Sequence, residues 1–152
     1  MDADCLIKLT KANLKELVCD NITVVIPFAV KAEVVDDAGA HPEAEMILMN
    51  IKKRLLTVKG DQDSREKGEE AALQLFKQGG FDALCSDDRR FNRRLKIMNI
   101  PSITPAVFVA MLLKQRTLTM KEAMEKLDLL APYISDDEYV TVNLVIKNWR
   151  TS

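Results

Sequence analysis

The chain has 152 residues, of which 47% are hydrophobic and 30% charged, and its formal net charge is -1. This is the composition of a globular chain about one domain long, which excludes disorder and a surface coated with positive charge, though not a local basic groove. No apolar run reaches the roughly 18 residues that span a bilayer, and the opening MDADCLIK lacks a secretory pattern, so a cytoplasmic protein without a membrane partner is expected.

Short β-branched runs alternate with helical ones, the pattern of a parallel sheet with crossover helices. Residues 5–18 read as a helix with Leu6, Leu9, Leu14, Leu17 and Val18 along one stripe. Residues 22–26 form a strand stopped by Pro27, which suits the first turn of a helix over 28–35. Pro42 opens the next helix, followed by a short strand at 55–58 and a turn at 60–64. Residues 66–77 are helical and end at Gly79-Gly80 in the manner of a C-cap. A strand at 81–85, a helix at 89–98 and a small strand at 100–103 follow. Thr104-Pro105 reads as an N-cap with proline at the first helical position. Thr119-x-x-Glu122 and Ser135-x-x-Glu138 read as capping boxes opening helices that run to about Leu130 and Trp149. With no repeat or linker, a single domain over 1–152 is expected, its core at about 1–116 and its C-terminal helices at about 117–150.

Cys5, Cys19 and Cys85 are odd in number and widely spaced, and His41 is the only histidine. Zinc ligation and imidazole-assisted nucleophilic catalysis therefore both lack their residues. Catalysis must rest on carboxylates, lysines or a metal ion.

The acids carry the clearest signal. Asp87 and Asp88 follow a buried strand, at the edge where open α/β sheets bind their ligands. Like charges that close favour a proton or a cation, and a hard divalent ion with oxygen ligands suits them. Ser86 and the aspartates would equally cap a helix from 88 onward. Asp2 lies where a first strand would end, Glu33 in the helix after the second strand, and Glu69 in the first turns of a later helix. Strand ends and following helix starts share one sheet edge, so these acids can converge. Arg89 and Arg93 stack at i,i+4, as do Arg90 and Arg94, giving either a phosphate contact or a solvated helix face.

Taken in order, DADCLIKL, IPFAVKAEVV, GEEAALQLF, SDDRRF and NIPSITP resemble the PIN-domain nucleases of prokaryotic type over roughly residues 2–116. That resemblance implies an α/β fold, a three-layer α/β/α sandwich around a central parallel sheet. It implies a ribonuclease using Mg²⁺ or Mn²⁺, with Asp2, Glu33, Glu69 and Asp88 as catalytic metal ligands and Asp87 as a further one. Ser86, Arg89 and Arg93 are the expected substrate contacts. RNA, a protein antitoxin and a second copy in a homodimer are the expected partners. A PIN-fold module that binds RNA or protein without cleaving is the alternative. Only Met1 precedes the opening acid, which implies a late-starting reading frame or a shortened central strand that holds Asp2 poorly. A nucleotide-binding fold of another kind would need a glycine-rich phosphate loop, and Gly79-Gly80 ends a helix instead of opening one.

Overall fold

Short strands paired in parallel, with helices between them, give the chain its α/β character. In the computed structural model, which describes residues 1–37, 39 and 41–149, β1 (Val25–Pro27) pairs with β2 (Thr57–Lys59). A second parallel pair joins β3 (Leu84–Cys85) to β4 (Ser102–Ile103). Among the described residues the expected central sheet is therefore two sheets of two strands each. Met1 and Asp2 lie between them. The Met1 amine donates to the Val25 carbonyl at 3.0 Å, and the Asp2 amide donates to the Cys85 carbonyl at 3.1 Å. Successive residues of an extended chain address opposite neighbours, so these two residues are a strand stub linking the sheets. Behind Met1 a cavity of about 250 Å³ separates the facing edges, lined among others by Val25, Phe76, Ala83, Phe108 and Met111.

The helix expected over 5–18 is two helices, α1 (Ala3–Lys11) and α2 (Lys15–Asn21). Asn13 takes a left-handed φ of 55°, its amide donates to Thr10, and the Leu14 amide donates to Leu9. This is a Schellman ending, closed by the buried Leu9 and Leu14. Asparagine can supply it because its short polar side chain tolerates the left-handed region.

Pro27 does precede a helix, α3 (Phe28–Lys31), but the helix widens into a π-helical turn over Ala32–Asp36. α4 (Pro42–Lys52) begins at its proline, α5 spans Gly68–Lys77 and α6 spans Arg89–Ile97. α7 (Val107–Lys114) starts later than Thr104 suggests, and its N-cap is Ala106. The amide of that residue is bound from the last helix. α8 (Met120–Leu130) opens on a complete capping box between Thr119 and Glu122. At the head of α9 (Asp136–Lys147), the Ser135 side chain accepts from the Glu138 amide, completing half of a box. The Glu138 carboxylate instead accepts from the Ala106 amide at 2.9 Å, tying α9 to the start of α7. Residues 150–152, the end of the expected domain, lie outside the described residues.

The main core gathers Leu6, Leu14, Ile26, Ile47, Leu112 and Leu127 from both halves of the chain. A smaller cluster of Leu73, Leu84, Phe91 and Leu95 fixes α5 and α6 to β3. Lys15 is buried at 2% exposure, and among the described residues its ammonium has no hydrogen-bond partner. Among the described residues no helix is long and apolar enough to cross a membrane.

Candidate metal and nucleic-acid site

The heads of α1, α5, α6 and α9 line one cavity of about 850 Å³, which contains Asp2, Glu33, Glu69, Asp87 and Asp88. Helix N-termini present unpaired amides and the positive end of the helix dipole, so carboxylates and anionic ligands are favoured there. Two of the acids are held by capping. Asp2 Oδ1 accepts from the Cys5 amide at 2.9 Å, and Asp88 Oδ1 accepts from the Phe91 amide at 2.7 Å. A carboxylate has lone pairs on two oxygens, so a cap does not exhaust it. Capping and ligation, set against each other in the sequence, are compatible at Asp88.

Asp2 is not poorly held. It is buried, its amide is fixed to Cys85 and its carboxylate to α1. Its side chain offers an oxygen within 4.8 Å of ligand atoms on Asp87 and Cys5. Glu33 reaches the cavity from the π-helical turn, where one extra residue per turn re-aims the side chains that follow. It packs against the head of α5, where a Cβ added to Gly68 would stand 3.3 Å from Glu33 Oε2.

The electrostatics set acid against acid at Glu69 and acid against ammonium at Asp87. Burial pushes the Glu69 carboxyl above its ordinary value, and the charges of Asp88 and Asp2 push it further. Burial also raises Asp87, against the pull of the Lys8 ammonium, which contacts its Oδ2. Burial opposes the charge on Lys8, but its contacts with Asp4 and Asp87 outweigh this and raise its pKa. The Cys5 thiol is raised by its hydrogen bond with Cys85 and by burial, so it stays protonated and is a poor ligand for a hard cation. What remains is an all-oxygen set in which acids outnumber the lining cations Lys8, Lys67, Arg89 and Arg90, and this fits a hard divalent ion such as Mg²⁺ or Mn²⁺.

The expected basic contacts divide. Arg89 lines the cavity, while Arg93, one turn further along α6, lies outside it. Arg94 is engaged by Glu70 through both guanidinium nitrogens. Ser86 is fully buried, out of reach of a substrate. Its hydroxyl accepts from the Asp88 amide at 3.2 Å, and its carbonyl accepts from the Asn92 side chain at 2.8 Å. Ser86 thus shapes the turn that presents Asp88. Lys8, Lys67 and Arg90 also line the cavity. Lys8 was legible only as the i+4 partner of Asp4, a pairing common on any solvated helix.

No curated protein and no solved structure matches the chain. A family model described as a PIN domain matches residues 1–147. PIN domains typically use divalent metals, which agrees with the acids gathered on one cavity here. The chain belongs to the PIN-domain family.

Proposed function

We propose that this protein is a ribonuclease dependent on Mg²⁺ or Mn²⁺, with Asp2, Glu33, Glu69 and Asp88 as the catalytic ligands and Asp87 beside them. The observation that carries this reading is the convergence of these acids on one cavity bordered by Lys67, Arg89 and Arg90. A divalent ion bound there supplies the charge that lowers the pKa of water and stabilises phosphodiester oxygens. The chain's own contribution is placement. Capping by the Cys5 and Phe91 amides fixes Asp2 and Asp88, and the Ser86 hydroxyl braces the Asp88 turn. Lys67, Arg89 and Arg90 hold backbone phosphates at the rim, which positions RNA without reading its sequence.

The same reading includes the three-layer sandwich usual in such domains, a cytoplasmic setting and a homodimeric toxin restrained by a protein antitoxin. Exposed Val140, Leu144 and Val145 on α9 support a protein partner. Cleavage of single-stranded RNA in Mn²⁺, abolished by EDTA and by Glu69→Gln, is the test. Intact RNA across several substrates and both metals would leave a binding module in its place. Cleavage that persists in EDTA would overturn the metal assignment.

A further inference from the structure

The acids on the cavity fall into two groups that differ in their counter-charge. Lys8, on the second turn of α1, contacts Asp87 Oδ2 and lies 2.8 Å from Asp4 Oδ2. Its side chain is 20% exposed and that of Asp87 14%, so this ion pair is screened little by water. Glu69 belongs to the other group. It feels the charges of Asp88 and Asp2, and the cation acting on it is Arg94, already engaged by Glu70. One acid of the cavity is therefore in contact with an ammonium, whereas among the described residues no ion pair joins Glu69 or Asp88 to the lining cations Lys67, Arg89 and Arg90.

Carboxylate centres of this size take one divalent ion or two. Among the described residues the group whose ligand atoms all lie within 4.8 Å of one another is Asp2, Cys5 and Asp87, and the Lys8 ammonium already contacts Asp87 there, where an ion beside that carboxylate would sit. We infer that Lys8 occupies the position of a second cation, so that the protein binds a single divalent ion on the Asp2, Glu69 and Asp88 side. The inference rests on the metal-dependent reading above and deepens it. Lys8 is a positioning residue here: it acts through Asp87. An ammonium on a flexible stem has a fixed charge of one and cannot coordinate, so it neutralises Asp87 without supplying a second place for water or phosphate.

Mn²⁺ stoichiometry tests this without recourse to cleavage, by calorimetric titration and by the spin-resonance signal of the free ion. The wild type is expected to take one Mn²⁺ per chain. Lys8→Met is expected to take two, the second at least tenfold more tightly than any second ion on the wild type. Lys8→Arg, which keeps the charge, is expected to take one. Melting curves of all three proteins establish that they are folded. Two ions on the wild type, or one ion on Lys8→Met with unchanged affinity, overturn the inference and leave the metal-dependent reading standing. No Mn²⁺ on the wild type but one on Lys8→Met supports Lys8 as the resident cation and sinks the metal-dependent reading. No binding to either protein sinks both.

Discussion

Gly68 and Glu33 approach so closely that a methyl group on Gly68 would lie 3.3 Å from Glu33 Oε2 and equally close to a methyl of Val30. The first of these is the far end of a flexible side chain and can move. Gly68→Ala is therefore expected to leave the fold intact. A less flexible unfolded chain favours the variant by about 0.4–1 kcal/mol, and the tight approach to the buried Val30 methyl works against that gain. The cost falls on the site, where Glu33 is pushed off its position and Mn²⁺ affinity drops several-fold. Melting curves with and without Mn²⁺ separate the two effects. An unchanged metal response would show that Glu33 is not placed through this contact.

Asp88 has a structural task and a proposed chemical one, and two substitutions divide them. Asparagine caps a helix about as well as aspartate, so Asp88→Asn should hold α6 while losing the metal response. Asp88→Ala should lose both, with an added destabilisation of about 0.5–2 kcal/mol typical of a lost N-cap. Urea unfolding of the metal-free proteins reads the cap. If the two variants unfold alike, the bond from the Phe91 amide contributes nothing to stability.

Glu69 fixes the sign of a pH dependence. Its carboxyl is raised in the folded protein, so the folded state binds more protons than the unfolded state between the ordinary and raised values. The contribution of Glu69 to metal-free stability therefore falls as pH rises through that interval, and acidification restores it. Glu69→Gln should raise the metal-free melting temperature at neutral pH and flatten this part of the profile. A variant that melts lower than the wild type at neutral pH, without metal, would contradict the charge assignment.

Lys15 behaves in the opposite sense. Burial lowers its pKa, so the folded state holds its proton less well than the unfolded state does. Its unfavourable contribution is present at neutral pH and disappears as pH rises toward the ordinary lysine value. Lys15→Met keeps the length of the stem and removes the unpartnered ammonium. A gain of about 1 kcal/mol or more in denaturant unfolding is expected from relieving an unpaired buried charge. No gain would mean that the ammonium finds water in solution.

Much of this was legible in the order of the elements, because local chemistry set it. Pro42 begins its helix, Thr119 closes its box, and the acids at helix heads converge where a βα arrangement places them. What the sequence hid was the outcome of competition between distant partners. Glu138 reads as the closing residue of a box, but the Ala106 amide claims it across 32 residues. Asn13 reads as one more polar position in a helix, while its left-handed backbone ends that helix and turns the chain. Arg93 fits a phosphate contact by type and spacing, yet its distance along α6 takes it away from the cavity. Ser86 carries no outward sign of burial, since a hydroxyl serves equally well in a turn and at a substrate.

The stretch formed by Met1 and Asp2 also makes the acid site sensitive to the packing beneath it. Met1 addresses Val25 and Asp2 addresses Cys85, so the backbone that carries the Asp2 carboxylate is held by both sheets at once. A shift of one sheet against the other across the cavity behind Met1 would displace that carboxylate. Loosening the lining with Phe108→Ala, and following hydrogen exchange at the Asp2 amide, would measure how far the interior sets the geometry of the site.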